Sequence, residues 1–536
     1  KRIGGWPLDP AQKKDFLKLL LKKFFQEKLH GRYYSQFLIR ESEKDFPYLP
    51  YDNNTNSSSY FTERLLSSSC LWRYLEDKEE NTFYQYYSEI NILRTLKEKG
   101  VRLLGLSIIS PSQAIPALTL GALAKKNLPY IHINIGGQWP TLYRKALLQE
   151  KRFFDCFDSI IVFEGETPLY RLAQALEEGK KIAIPNVITK NSPNDFSDIR
   201  SEEDMDKLPC PDFDGLPLQA YEAFTGTGGV TLTYETSRGC YWSKCAYCVD
   251  LPLPKPAYRR KNPDLVARDI RQLREKYNAN KLMVSDPGLS PRQMLEVSQA
   301  LLGEGVKIEW WCMARLDPGF NTRVFQTARQ AGLYQVNFGF ESANDRICRL
   351  LDKGNTWECS SRIIKECSRA GIRVDLQTIL GLPEETLQEG LDTVDFLVKN
   401  KPFISDATFN VYYLTPENFI YRHPEKYGIE YEKNDSLPFR FFIPFKNIKG
   451  MAKREALLLQ ELYGWLTAKD KGESREGDGL RKEDPLSLAA GVSVGQLELT
   501  LNRETARLAF LYNSMTKEYH FIPGAMEKKN GELQLR

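Results

Sequence analysis

The stretch Thr236-Ser237-Arg238-Gly239-Cys240-Tyr241-Trp242-Ser243-Lys244-Cys245-Ala246-Tyr247-Cys248 sets three cysteines in a C-x4-C-x2-C spacing. It continues from the run Val230–Thr236, whose alternating β-branched and aromatic residues read as a strand. The cysteines therefore sit on the loop leaving that strand. The remaining cysteines are scattered singly, which does not match a secreted disulfide framework, and a tight group of this kind serves metal or redox chemistry. Three thiolates can hold three irons of a [4Fe–4S] cluster and leave the fourth iron open to a ligand with an amine and a carboxylate. A structural zinc site is the competing reading. It asks for four ligands, usually with a second Cys pair or His. The only histidines are His30, His132, His423 and His520, none close to the cysteines in sequence.

Strand-like runs recur downstream at 281–286, 308–317, 335–342, 373–383 and 406–416, with helical patterns between them. With the first run they predict a complete or partial six-stranded α/β barrel whose chemistry lies at the carboxyl ends of the strands. Upstream, strands at Val101–Ile109, Tyr130–Ile135 and Ser159–Phe163 alternate with helices, the sign of an open parallel sheet. Its ligand-side loops are Ser107–Gln113, Gly136-Gly137-Gln138 and Glu164–Thr167. This reading gives an α/β chain in five parts: a helical N-terminal region (1–98), a Rossmann-like domain (99–198), a linker rich in Pro and Asp (199–228), the barrel (229–430) and a small α+β C-terminal domain (431–536).

The 536 residues are 42% hydrophobic and 27% charged, which excludes wholesale disorder. Lys plus Arg number 74 against 70 Asp plus Glu, a near balance that disfavours a nucleic-acid partner. No apolar run approaches the roughly 18 residues of a membrane span, and no signal-peptide pattern is visible, so the expectation is a cytoplasmic protein without a membrane partner. Residues 11–28 place Phe16, Leu17, Leu20, Leu21, Phe24 and Phe25 on one helical face, read as docked on the protein itself rather than on a membrane. Asn53–Ser59 reads as a loop. In the C-terminal region a helix is expected over 453–466 and strands near 497–501 and 507–512. The aromatic strip Phe439–Phe445 reads as core, with a substrate-facing surface as the alternative.

The cysteine loop resembles that of the radical S-adenosylmethionine (SAM) enzymes, whose usual spacing, C-x3-C-x2-C, is one residue shorter. Tyr247 before the last cysteine fits the family pattern. So do Arg315-Leu316-Asp317, Gly339-Phe340-Glu341-Ser342, the run to Lys353-Gly354-Asn355-Thr356, and Gln377–Thr386. The resemblance implies that Cys240, Cys245 and Cys248 ligate a [4Fe–4S] cluster. It also implies that Tyr247, Asp286, Arg315, Glu341, Ser342, Gln377 and Leu382 bind SAM, with Arg315 on its carboxylate. A guanidinium suits a carboxylate, and a carboxylate side chain suits ribose hydroxyls.

In order and position, residues 99–170 resemble the cobalamin-binding domain that precedes the barrel in one subfamily, and the linker containing Pro211-Asp212-Phe213 is similar to that subfamily as well. Ser107, Ile108, Gln113, Gly136, Gly137, Gln138, Glu164, Gly165, Glu166 and Thr167 would then line the cobalamin site. No D-x-H-x-x-G motif is present, and His132 lies inside a predicted strand. The subfamily commonly lacks that motif.

The resemblance implies a methyltransferase. A reduced cluster cleaves SAM to a 5′-deoxyadenosyl radical that abstracts a substrate hydrogen, and methylcobalamin delivers a methyl group to an unactivated carbon or a phosphorus centre. The substrate would be a small molecule or peptide, with an external flavodoxin- or ferredoxin-type reductant. The alternative enzyme is a radical SAM cyclase, cross-linking or rearrangement catalyst. The segment from Tyr413-Leu414-Thr415-Pro416 to Gly428 is similar to proteins that modify ribosomally made peptides. A third reading, from another class, is a non-catalytic zinc- or nucleic-acid-binding module.

Overall fold

The structure, a computed structural model, describes residues 68–463 apart from 193–201, 220–228, 249–256, 433–442 (Phe439 excepted) and a few single positions, together with four strands between 508 and 535. The helix expected over 11–28, the loop 53–59 and the strand 497–501 lie outside the described residues. Two compact units result, Lys1–Glu461 and Leu462–Arg536.

The first layer is helical: α1 (Ser68–Glu76), α2 (Phe83–Glu89) and α3 (Ile92–Glu98). It does not form a separate domain. Leu71, Trp72, Leu75, Phe83 and Leu96 join one apolar core with Ile108, Ile133 and Ile135 of the sheet that follows. A buried bond from Asn81 Nδ2 to Thr119 Oγ1 (2.9 Å) ties this layer to α4 (Pro111–Asn127).

The upstream sheet runs β1 (Leu103–Ser107), β2 (His132–Gly136), β3 (Ser159–Ile161) and β4 (Val187–Thr189). Their order across the sheet is sequential; the first three are parallel and β4 is antiparallel to β3. Helix α5 (Gln138–Gln149) follows β2, and α6 (Glu166–Glu177) follows β3. The ligand-side loops named from sequence therefore stand together at the carboxyl ends of β1, β2 and β3.

The barrel strands are β5 (Val230–Tyr234), β8 (Ala279–Leu289), β9 (Glu309–Arg315), β10 (Leu333–Glu341), β11 (Arg373–Leu380) and β12 (Asp406–Val411). All six expected strands form, in sequential order and in parallel register, an open six-stranded sheet. Between β5 and β8 lie two short strands, β6 (Ser237–Arg238) and β7 (Arg259–Arg260), paired antiparallel as a hairpin neck. The connecting helices start on strong caps. Asn262 accepts from Asp264 N ahead of α7 (Pro263–Tyr277), and Thr386 with Glu389 forms a capping box on α8 (Leu387–Lys399). One sheet face is sealed by residues such as Trp310, Cys312, Phe338 and Leu376. The other carries Met313, Asn337 and Gln377, only partly buried.

The boundary expected at 431 shifts. Strands β13 (Ile429–Tyr431) and β14 (Phe445–Asn447) pair with each other, Ile443 bridges to Leu414, and Met451 N donates to the Glu385 carbonyl (2.6 Å). Phe439 stacks on Trp139 of the upstream domain (centroids 5.5 Å apart), so this part of the aromatic strip is core. Among its described residues the second unit carries two hairpins, β15 (Leu508–Asn513) with β16 (Glu518–Pro523) and β17 (Met526–Lys529) with β18 (Glu532–Leu535).

Candidate functional site

The cysteine loop lies at the carboxyl end of β5, as the strand pattern requires. Asp286 anchors its entrance. The carboxylate accepts from Thr236 N (2.7 Å), Thr236 Oγ1 (2.6 Å) and Ser237 Oγ (2.5 Å), with Gln293 Nε2 at 3.2 Å. Cys245 is buried, while Cys240 and Cys248 are half-buried; Cys248 N donates to the Cys245 carbonyl at 3.4 Å. Burial raises the Cys245 thiol above its ordinary value, while Lys353 and Arg315 pull it down. Among the described residues no three His, Cys, Asp or Glu side chains close around a point as they would around a single metal ion.

Beside the cysteines lies a buried ionic group. Lys353 Nζ donates to Glu341 Oε1 (2.8 Å) and to the Tyr247 hydroxyl (3.0 Å), and that hydroxyl donates to Glu341 Oε1 (3.0 Å). Lys353 is 4% exposed and Glu341 7%. Burial opposes the ammonium charge, yet Glu341 and Cys245 together outweigh it and hold Lys353 above its ordinary range. Glu341 ends β10 across a register shift with φ +66°. This left-handed bulge re-aims its side chain at a sparsely populated backbone angle.

Arg315, at the end of β9, is buried over Trp242, its guanidinium carbon 4.1 Å from the ring centroid. Its Nη2 donates to the Lys353 carbonyl (2.5 Å), and its Nη1 reaches Asp317 Oδ2 (3.3 Å) and the Tyr241 hydroxyl (3.4 Å). Its buried Nε has no partner among the described residues. Trp242 Nε1 donates to the Asp352 carbonyl (2.6 Å), and its ring lies over Gly354 (φ +77°), where a Cβ would come within 2.4 Å of it. Cysteine loop, β9 end and the 352–354 turn are thus one packed unit.

Of the expected SAM contacts, Tyr247, Arg315 and Glu341 come together. Gln377 lies on the open sheet face, its amide donating to Asn337 Oδ1 (3.1 Å). The side chains of the other three are engaged elsewhere. Asp286 is fully buried, and its carboxylate accepts from Thr236, Ser237 and Gln293. Ser342 Oγ faces Glu385 and Thr393, both at 3.3 Å. Leu382 is fully buried in an apolar cluster with Ala246, Ile347 and Leu414. These three brace the rim from behind. Ser342 and Leu382 share an anchor, Glu385, which is fully buried and accepts from Gly381 N (2.8 Å), Leu382 N (3.2 Å) and Ser342 Oγ (3.3 Å); burial pushes its carboxyl up to about 8.

At the upstream loops Ser107 and Gln138 are exposed, Ile108 is buried and Gln113 accepts from Ile109 N (2.7 Å). Ile109 itself is exposed. Gly137 has φ +105°, and a Cβ there would lie 2.5 Å from the Ile108 carbonyl oxygen. Its glycine therefore serves close approach of the β1 and β2 ends, whereas Gly136 has room. The side chains of Glu164, Glu166 and Thr167 do not face an open crevice. Glu164 and Glu166 are ion-paired with Arg238 of the cysteine-loop neck, Glu164 also with Arg259, and Thr167 Oγ1 donates to Glu203 (2.8 Å). Glu164 and Thr167 thus spend their side chains on these partners, while the Glu166 side chain stays 44% exposed. His132 sits at the opposite end of β2, its Nε2 2.8 Å from Ser159 Oγ.

Sequence reading missed Lys353 as a site residue, the anchor Glu385 and the partners of Arg238 and Arg259. Lys353, Glu385 and Arg238 stand inside the motifs quoted above, but a charged residue's partner leaves no periodic signal in the chain.

Residues 234–397 match the radical SAM superfamily. The barrel is a radical SAM domain. Among curated proteins the chain is 26% identical over 317 residues to an uncharacterized methyltransferase of Pyrococcus horikoshii, covering 58% of this chain and 66% of that protein. It is 24% identical over 296 residues to an anaerobic magnesium-protoporphyrin IX monomethyl ester cyclase of Rubrivivax gelatinosus, covering 53% and 52%. These alignments thus span less than two thirds of each relative's length. Among solved structures, the fold resembles that of the cobalamin-dependent radical SAM enzyme OxsB (TM-score 0.55, 16% identity, 70% of this chain and 60% of that one). It also resembles that of the radical SAM methyltransferase TsrM of Kitasatospora setae (TM-score 0.52, 15% identity, 73% and 82%).

A radical SAM domain works with SAM and a [4Fe–4S] cluster, and the residues present suit both. Three soft thiolate donors share one loop at the barrel mouth, the donor set such a cluster takes. The unpartnered Arg315 Nε and the Glu341 carboxylate offer a donor and an acceptor for the charged end of SAM. No described helix is long and apolar enough to cross a membrane.

Proposed function

We propose that this chain is a cobalamin-dependent radical SAM methyltransferase acting on an unactivated carbon of a peptide or natural product, with electrons from an external flavodoxin- or ferredoxin-type reductant. The observation that carries the reading is the juncture of two strand-end regions: the loop after β3, one of the three upstream ligand-side loops, is ion-paired directly with the neck of the cysteine loop. The upstream loops suit a large neutral cofactor. They offer backbone, the small Gly136 and the exposed apolar Ile109 rather than unpaired charge.

When bound, the cluster would supply the electron that breaks a SAM carbon–sulfur bond, and cobalamin would carry the methyl group. The chain's own residues do the rest. Cys240, Cys245 and Cys248 hold the cluster against the positive charges of Lys353 and Arg315. Glu341, fixed by Lys353 and Tyr247, and Arg315 orient SAM. The row of amides Asn337, Gln377 and Asn410 on the open sheet face gives the substrate neutral donors and acceptors. This division of labour, cofactor chemistry with protein positioning, sets what variants should alter.

Anaerobic purification with iron, sulfide and cobalamin analysis, followed by methyl transfer from labelled SAM, tests the proposal. Protein free of cobalamin that methylates at full rate would sink it. The relatives named as cyclases favour a second reading, a cyclisation or rearrangement without methyl transfer. Product mass separates the two: a gain of one CH2 unit supports methylation, and a loss of two hydrogens supports ring closure or cross-linking.

A further inference from the structure

The neck of the cysteine loop is where the upstream and barrel ligand ends meet. β6 and β7 pair Ser237 with Arg260 and Arg238 with Arg259, so both ends of the segment carrying the cysteines leave from this short ladder. The two arginines of the inner rung reach one upstream carboxylate. Arg238 Nη1 and Arg259 Nη1 each lie 3.1 Å from Glu164 Oε2, and Arg259 Nη2 bonds Oε1. Arg238 also holds Glu166 and, through Nε at 2.7 Å, Glu235. Arg259 donates to the Glu203 carbonyl (2.5 Å) and stands 3.4 Å from Glu202.

Glu164 lies on the loop between β3 and α6, one of the three loops at the upstream crevice, and Glu166 follows Gly165 as the first residue of α6. The Glu164 side chain is 14% exposed and that of Arg238 17%, so solvent screens the grip only weakly. A two-pronged guanidinium–carboxylate bond also fixes direction, which a single ion pair does not. Glu164 accepts from both strands of the neck, so any change in the freedom of its loop reaches both ends of the cysteine segment together.

We infer that Glu164 is a positioning residue: through Arg238 and Arg259 it ties the order of the cysteine loop to occupancy of the upstream crevice. The inference rests on the cobalamin reading above. A cofactor seated on the loops after β1–β3 stills the loop between β3 and α6, and the clasp passes that ordering to the residues that hold the cluster.

Hydrogen–deuterium exchange across residues 239–258 tests this, in the full chain with a reconstituted cluster, with and without hydroxocobalamin. In the wild type, hydroxocobalamin slows exchange of this segment. Arg259→Gln binds hydroxocobalamin and keeps its iron but loses that slowing. Arg259→Lys, which keeps the charge without the fork, restores part of it, and carries the comparison if Arg259→Gln does not fold. Glu164→Gln combined with Arg259→Gln loses no more than either alone, because both remove one shared link. Full slowing retained in the Arg259 variants, or losses that simply add in the double variant, would overturn the inference. Wild-type protein that binds hydroxocobalamin with no change in exchange also overturns it and leaves the proposed function standing. Wild-type protein that binds none overturns the proposed function, and the inference falls with it.

Discussion

The barrel rim and the upstream crevice solve the binding problem in opposite ways. The rim is made of side chains: a buried Lys353–Glu341–Tyr247 group and an Arg315 stacked on Trp242, all aimed by strand ends. The crevice is made of backbone: strand ends brought close at Gly137, with the nearby acidic side chains turned away to the neck arginines. Fixed charge in a dry setting suits a small charged ligand, because each dipole is oriented before the ligand arrives. Backbone walls with little free charge suit a bulky neutral one. Substitution should therefore hurt the rim through chemistry and the crevice through shape.

The largest effect belongs to the cysteines. Cys245→Ala removes a buried ligand, and it should lose most iron and all SAM cleavage, read by iron analysis and 5′-deoxyadenosine formation. An Ala variant at Cys240 with full cluster content would break the comparison by removing the rim's defining feature. Next, Lys353→Met leaves Glu341 buried without its counter-charge and should cost about 3–5 kcal/mol in denaturant titration. Adding Glu341→Gln should return part of that loss, since no carboxylate is then stranded.

Glu385 sharpens the rim side through pH. Burial raises its carboxyl to about 8 from an ordinary 4.5, so folding retains its proton. The stabilisation is fully present below pH 4.5 and is lost as pH rises through 8. Relative to the wild type, Glu385→Gln should therefore gain stability between pH 5 and 8, by a few kcal/mol at most. Parallel stability–pH curves for the two proteins would refute the assignment.

On the crevice side, Gly137→Ala should cost about 1–3 kcal/mol from its left-handed backbone and the Ile108 contact, whereas Gly136→Ala should be close to neutral. Gly136 is thus the position at which bulk tests cofactor binding; Gly137→Trp would test folding first. Smallest of all, Cys367→Ala should cost about 1 kcal/mol and leave iron unchanged, since this fully buried thiol packs under the barrel strands.

The barrel strands were legible in the sequence because each repeats apolar residues at a two-residue period between helical stretches, and the cysteine loop was legible because its spacing is dense. Residues whose meaning lies in a distant partner were harder. Asp286, Ser342 and Leu382 occupy strand-end positions where ligand contacts are expected, yet each is spent on holding the loop behind it. Lys353 stands in a quoted motif without a role until β10 brings Glu341 beside it. The N-terminal helices read as separate because their partner, the β1–β3 core, comes later in the chain.

The short ladder of β6 and β7 bears on how freely the cysteine segment can change length. With both ends fixed at Arg238 and Arg259, an added residue costs only the extra closure entropy of a loop of about twenty, and even doubling such a loop costs only about 0.6 kcal/mol. The extra residue between Cys240 and Cys245 is therefore thermodynamically cheap. The rung fixes where the segment starts and ends, and the number of residues between its cysteines is left for the geometry of what they hold to decide.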